Sequence, residues 1–233
     1  MSINPVKALL WIALFSLVAC ASIEERESET VRPDGFVRVA EHVPGLIEDV
    51  RYHTADNFVG APIDGYEAPV CLLTREAADA LGEVQAELAG FGLGLKVFDC
   101  YRPARAVAHF ARWARDLDDQ STKPVYYPNV EKSQLFELGY IAEKSGHSRG
   151  STMDLTIVDL ASLEAIDMGS PFDLFDPLSW PSDPRPSKQQ RANRAFLNAI
   201  MTAHGFKGLR EEWWHFTLVD EPYPDTYFDF VIR

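Results

Sequence analysis

Residues 145–154, SGHSRGSTMD, lead from a loop into a strand that is predicted over Met153 to Val158. Side chains alternate along a strand, so Asp154 faces away from its two apolar neighbours. Gly150 allows the backbone to turn where other residues would be strained, and this turn would bring His147 beside Asp154. Taken alone, the pair could equally be a surface histidine and a strand-edge acid.

A second motif, Glu212-Trp213-Trp214-His215, lies much later in the chain. On a straight strand, the odd spacing between its charged ends would send the two side chains to opposite faces. They converge only if the backbone turns between them, and the adjacent tryptophans would support such a turn. The alternative is a pair of core tryptophans flanked by a solvated glutamate and a satisfied histidine.

The two motifs together offer the ligand set of a catalytic zinc site. Such a site usually takes three protein side chains and leaves a fourth position for water. The predicted ligands are His147, Asp154 and His215. Glu212 would remain uncoordinated and act as the general base.

The segment Asp99-Cys100-Tyr101-Arg102-Pro103 closes another predicted strand. Arg102 would project from the sheet edge, where a fixed cation beside the zinc can stabilise the oxyanion formed when water attacks a carbonyl. The alternative is a surface salt bridge between Arg102 and Asp99.

The remaining elements follow from periodicity and capping residues. Strands are predicted over 46–52, 93–99 and 215–219, and helices over 76–89 (capped by Thr74), from Pro103, and over 187–204 (capped by Ser187 with Gln190). Residues 118–140 are predicted to be loop with short helical pieces, and the prolines of residues 168–186 indicate a long irregular segment. Without a steady βαβ rhythm, this order predicts an α+β fold, with helices packed on a small antiparallel or mixed sheet.

Composition predicts one globular domain. The chain has 233 residues, of which 46% are hydrophobic and 24% are charged. Its formal net charge of −13 argues against a nucleic-acid partner, because phosphates require a basic surface.

The N-terminus has the pattern of an export signal. Residues 1–19 are predicted to be a lipoprotein signal peptide, because an apolar run ends in Leu17-Val18-Ala19-Cys20, which is similar to a bacterial lipobox with Cys20 as the lipidated residue. Residues 20–34 would form a flexible tether, and residues 35–233 the folded domain. A plain signal peptide and an uncleaved anchor are the alternatives.

Two further cysteines, Cys71 and Cys100, would belong to the folded domain. In an oxidising compartment they could form a disulfide, and otherwise they would be two buried thiols. The sequence does not give the Cα separation that decides between these possibilities.

The order of these motifs resembles the VanX-type D-alanyl-D-alanine dipeptidases, zinc peptidases related to D,D-carboxypeptidases and to the hedgehog amino-terminal fold. The resemblance extends from about Leu46 to Arg233. The segments that carry it are 52–60, 99–103, 145–154, 168–173, 212–215, 221–224 and 227–230.

The resemblance implies a role for each matching residue. One zinc ion would be bound by His147, Asp154 and His215, with Glu212 as the general base and acid and Arg102 as the transition-state clamp. Asp173, helped by Tyr52, would hold the ammonium group of a dipeptide, and Ser145 would contact its carboxylate. A partner at each end suits a substrate that is charged at both ends.

The predicted cellular location differs from that of the family's resistance enzymes, which work in the cytoplasm. Export to the cell envelope, on the periplasmic face of the outer membrane, favours hydrolysis of D-Ala-D-Ala in peptidoglycan turnover. A D,D-carboxypeptidase that trims longer stem peptides is the alternative. A lipoprotein that binds wall fragments without cleaving them is a third reading.

Overall fold

The computed structural model describes residues 31–233. The predicted signal peptide, Cys20 and most of the predicted tether lie outside the described residues. In the described part of the chain, none of the helices combines the length and the hydropathy needed to cross a bilayer.

Seven strands and five helices alternate irregularly along residues 31–233. They are β1 (Phe36–Arg38), α1 (Val39–His42), β2 (Ile47–Glu48), β3 (Leu72–Thr74), α2 (Arg75–Ala89), β4 (Leu93–Asp99), α3 (Ala104–Arg115), α4 (Lys123–Tyr126), β5 (Thr152–Asp159), α5 (Lys188–Ala203), β6 (Phe206–Gly208) and β7 (His215–Leu218). Short 3₁₀ turns occupy Arg51–His53, Lys132–Gln134, Gly146–Arg149 and Pro177–Ser179. This order confirms the predicted α+β class.

A mixed sheet of five strands, in the order β2-β4-β5-β7-β6, forms the centre of the molecule. β2 pairs with β4 in parallel, and the other pairs are antiparallel. The central strand β5 places Asp154 opposite Asp99 of β4 on one side and opposite His215 of β7 on the other. Directly opposed residues share a face, so three ionisable side chains form a row across the sheet.

The predicted helix caps are confirmed. The Thr74 hydroxyl accepts a hydrogen bond from the Ala77 amide at the start of α2. Ser187 and Gln190 form a complete capping box at the start of α5. Each helix then buries one apolar face, which in α2 includes Leu81, Val84 and Leu88.

The strand predicted over Leu46 to Tyr52 is largely wrong. Only Ile47 and Glu48 pair with β4, and the chain then turns through the 3₁₀ helix Arg51–His53. Alternating apolar residues suggested a longer strand, but the turn buries Tyr52 beneath the irregular segment 168–186, where its hydroxyl bonds to Asp173.

A disulfide joins Cys71 and Cys100, whose Cα atoms are 5.3 Å apart. Cys71 immediately precedes β3 and Cys100 immediately follows β4. The cross-link therefore fixes the end of the strand that leads to Arg102. Of the two alternatives open for these cysteines, the structure contains the disulfide.

Candidate active site

The three predicted metal ligands lie close together. Asp154 and His215 belong to the row of side chains across the sheet, and His147 lies in the 3₁₀ turn Gly146–Arg149. Nε2 of His147 lies 3.4 Å from Oδ1 of Asp154, and Nδ1 of His215 lies 3.1 Å from the same oxygen. The two imidazole nitrogens are 3.3 Å apart. These three residues offer ligand atoms that all lie within 4.8 Å of one another.

Gly150 makes this convergence possible. Its φ of +85° lies in the left-handed region and ends the 3₁₀ turn that carries His147. A Cβ atom at this position would lie 2.2 Å from the Phe36 ring. The predicted turn is confirmed, and side chains larger than glycine are excluded by both conformation and space.

The motif at residues 212–215 also turns as predicted. Trp213 and Trp214 are buried in the turn, and the Trp214 carbonyl accepts a hydrogen bond from the Leu155 amide at 3.0 Å. The turn brings an oxygen of Glu212 within 3.4 Å of Nδ1 of His215. The tryptophans are therefore core residues, as the alternative predicted. They also support the turn that brings Glu212 and His215 together.

The buried donor set fits a zinc ion. Among residues 31–233, Oδ1 of Asp154 is a buried oxygen without a hydrogen-bond partner, although two imidazole nitrogens face it. Nδ1 of His147 bonds to the Cys100 carbonyl at 2.7 Å, an arrangement that leaves Nε2 free to bind a metal. Two imidazoles and one carboxylate form a typical catalytic zinc set.

The electrostatics of the cluster also favour a cation. Burial alone would raise the pKa of Asp154, but His147 and His215 hold it well below its ordinary value. Burial alone would lower the pKa of His215, but Asp154 and Glu212 outweigh burial and raise it to about 9. The carboxylates of Asp154 and Glu212 therefore stabilise a positive charge at His215, and this part of the cavity favours a cation.

Arg102 lies inside the protein rather than on its surface. It pairs with the fully buried Asp99, with Nη2 2.8 Å from Oδ2, and lies 3.5 Å from Oδ2 of Asp154. Its guanidinium stacks over the rings of Tyr52 and Phe110. The partner expected in the salt-bridge alternative is present, but the pair is buried and Arg102 lines the candidate site.

Asp99 and Tyr66 were not predicted to belong to the site. Asp99 accepts a hydrogen bond from the Tyr66 hydroxyl at 2.6 Å and lies 3.3 Å from Nδ1 of His147. It therefore contacts both a predicted ligand and Arg102. Its place at the end of β4, directly before Cys100 and Arg102, was the available signal.

Asp173 is a further buried carboxylate that lines the site. It is 5% exposed, and the Tyr52 hydroxyl donates a hydrogen bond to its Oδ2 at 2.9 Å. Within residues 31–233 no cationic side chain forms a salt bridge with it. Burial, reinforced by the charge of Asp154, raises the pKa of Asp173 well above its ordinary value. A bound ammonium group would restore the ionised carboxylate.

All of the predicted zinc-binding, catalytic and substrate-binding residues line one cavity of about 260 Å³. Ser145 reaches its wall, and its hydroxyl accepts a hydrogen bond from the His147 amide. The adjacent Lys144, which was not predicted, also lines the cavity and lies 5.1 Å from the centre of the Tyr227 ring. Among the described residues, Lys144 has no salt-bridge partner, so the cavity carries a free cation near Ser145 and a buried carboxylate at Asp173.

The fold and the donor set are those of a metallopeptidase. Residues 32–233 match the model of the Peptidase_M15 family, described as D-ala-D-ala dipeptidase, and the chain belongs to this family.

Similar proteins from several bacteria bear the same description. D-alanyl-D-alanine dipeptidases of Enterococcus faecalis and Streptomyces coelicolor are each 45% identical to this chain, covering 85% and 84% of it and 98% of each relative. The D-alanyl-D-alanine dipeptidase of Escherichia coli is 35% identical, over 78% of this chain and 84% of that protein. A solved structure of the vancomycin resistance D,D-pentapeptidase VanY is 12% identical, with a TM-score of 0.39, and covers 67% of this chain and 78% of that chain.

Proposed function

We propose that this protein hydrolyses the dipeptide D-Ala-D-Ala to two molecules of D-Ala with the help of one zinc ion. The observation that carries the proposal is the placement of His147, Asp154, His215 and Glu212 in one small cavity that the buried Asp173 also lines. Membership of the family and the dipeptidase relatives support the same substrate.

The chain's own residues divide the chemistry among them. His147, Asp154 and His215 would hold the zinc, which when bound supplies a Lewis acid and lowers the pKa of a bound water. Glu212 would accept the proton of the attacking water and deliver it to the leaving amine. Arg102, held rigid by Asp99, would place its positive charge where the oxyanion develops.

The charged and polar residues of the cavity fit a zwitterion. Asp173 and the Tyr52 hydroxyl would bind the ammonium group, and Ser145 and Lys144 would bind the carboxylate. An acylated substrate has no positive charge to offer Asp173, so the buried Asp173 carboxylate would keep the Tyr52 hydroxyl but lack a cationic partner. This cost favours the dipeptide over the longer stem peptides of a D,D-carboxypeptidase.

A comparison of free and acylated substrates tests this assignment. We expect the zinc-loaded protein to release D-Ala much faster from D-Ala-D-Ala than from N-acetyl-D-Ala-D-Ala. Asp173→Asn should narrow that difference while keeping its zinc, because it removes the charge that selects the ammonium. Equal rates on both substrates in the wild type would favour the D,D-carboxypeptidase instead.

We further propose that the enzyme is exported and anchored by a lipid on Cys20, on the periplasmic face of the outer membrane. The lipobox-like sequence at residues 17–20 supports export, and the disulfide between Cys71 and Cys100 suits an oxidising compartment. There the enzyme would serve peptidoglycan turnover.

Fractionation of cells that express the full chain tests this location. The wild type should label with a fatty acid and appear in outer-membrane fractions, whereas Cys20→Ala should do neither. A wild-type protein found in the cytoplasm without lipid would refute the proposal.

A further inference from the structure

Arg194 of α5 is a buried cation without a matching anion. It is 2% exposed, and within residues 31–233 no carboxylate forms a salt bridge with it. Burial of a guanidinium is costly unless its donors are bonded. The hydrogen bonds that Arg194 donates therefore indicate what this buried charge does.

All of its hydrogen-bond acceptors lie in residues 168–180. Its Nε donates to the Met168 carbonyl at 2.5 Å, and Nη2 donates to the Ser170 hydroxyl at 3.1 Å. Its Nη1 donates to the carbonyls of Leu178 and Trp180 at 3.0 and 2.9 Å. Within the irregular segment 168–186, one side chain thus ties residues 168–170 to residues 178–180.

Asp173 lies between the two tied ends. Its φ of +61° is in the left-handed region, which is unfavourable for a side chain other than glycine and persists only where the surroundings impose it. The Tyr52 hydroxyl orients the carboxylate but does not hold the backbone. The clamp by Arg194 supplies a restraint on the backbone on both sides of Asp173.

The same segment is joined to the turn that carries Glu212. The indole nitrogen of Trp213 donates to the Ser170 hydroxyl at 2.9 Å, and its amide donates to the Ser179 carbonyl at 3.1 Å. The Ser170 hydroxyl is therefore shared between Arg194 and Trp213. One hydrogen-bonded network therefore joins the segment that carries Asp173 to the turn that carries Glu212.

We propose that Arg194 is a positioning residue that clamps residues 168–180 and so holds the Asp173 carboxylate where it selects a free ammonium group. This inference rests on the proposed dipeptidase function. Arginine suits the position because its planar fork reaches several acceptors in fixed directions, which a lysine ammonium cannot do.

The variant Arg194→Lys tests the clamp, with Arg191→Lys as the matched control. Arg191 lies one turn earlier on α5 and donates to the carbonyls of Pro184 and Pro186, both outside residues 168–180. For each zinc-loaded protein, kcat and KM would be measured on D-Ala-D-Ala and on N-acetyl-D-Ala-D-Ala. Zinc content and the urea midpoint of unfolding would be measured alongside.

We expect Arg194→Lys to raise KM for the dipeptide about tenfold and to change kcat less than about threefold, with its zinc retained. Its preference for the dipeptide over the acylated substrate should fall about tenfold. Arg191→Lys should have the KM, the kcat and the substrate preference of the wild type. If Arg194→Lys does not fold, Ser170→Ala, which removes one acceptor of the clamp, should shift the preference in the same direction.

Combination with Asp173→Asn separates a positioning role from a general loss of stability. If Arg194 acts through Asp173, adding Arg194→Lys to Asp173→Asn should leave KM nearly unchanged. Folded Arg194→Lys with the wild-type KM and preference, in an active wild-type background, would overturn the inference alone. A zinc-loaded wild type that releases no D-Ala would overturn the proposed function, and the inference with it.

Discussion

Glu212 shows how a single side chain acquires a chemical role from its neighbours. It lines the cavity and approaches His215, but it is not among the three residues whose ligand atoms converge. A carboxylate beside a metal site that does not bind the metal is placed to transfer protons.

The substitution Glu212→Gln should therefore separate catalysis from metal binding. We expect one zinc per chain and a fall in kcat of about 10³-fold, because general acid–base catalysis contributes on this scale. Metal analysis and D-Ala release would measure the two effects. His215→Ala is the contrasting variant and should lose zinc together with activity. A Glu212→Gln enzyme within about tenfold of the wild type would show that another group transfers the proton.

Lys144 should affect only substrates with a free carboxylate. We expect Lys144→Met to raise KM for D-Ala-D-Ala by about fivefold and to leave KM for D-Ala-D-Ala amide unchanged, because the amide offers no negative charge. Lys207→Met, a change on β6 away from the cavity, is the matched control. Equal effects of Lys144→Met on the acid and the amide would contradict a contact with the carboxylate.

At this scale, the sequence indicated residues whose chemistry is distinctive and missed those defined only by their surroundings. His147, Asp154 and His215 stood out because they form a metal-ligand set, and Glu212 stood out as the spare carboxylate beside it. Asp99, Tyr66 and Lys144 are ordinary residues until folding places them beside that set.

Strand register assembles the site at the scale of elements. Asp99, Asp154 and His215 belong to three different strands and become neighbours only through the pairing of β4, β5 and β7. The sequence predicted these strands, because apolar alternation is local. It could not predict their order, because partner choice depends on the whole core. The strand prediction over residues 46–52 failed for the same reason. Burial of Tyr52 against the irregular segment 168–186 outweighed the local apolar pattern.

The disulfide should stabilise the element that carries Arg102. We expect the double variant Cys71→Ala, Cys100→Ala to lower the free energy of unfolding by about 2–4 kcal/mol, as is typical when a native disulfide is removed. Urea unfolding with and without reductant would measure it. A wild-type protein whose unfolding midpoint does not respond to reductant would contradict a structural disulfide.

At the scale of the whole molecule, a protein of net charge −13 places an acidic and a basic side chain in the wall of one small cavity. Asp173 and Lys144 both line this cavity, together with the candidate metal ligands. This arrangement fits a short zwitterion better than a long peptide, since a longer chain would have to leave one end unpaired. Family, cavity and charge therefore point to the same substrate.

The most direct test of the account is the release of D-Ala from D-Ala-D-Ala by residues 31–233. The assay would compare the protein as purified, after treatment with a chelator, and after zinc is restored. We predict activity that is lost on chelation and returns with about one zinc per chain. Folded, zinc-loaded protein that leaves the dipeptide intact would contradict zinc-dependent hydrolysis of D-Ala-D-Ala by this protein.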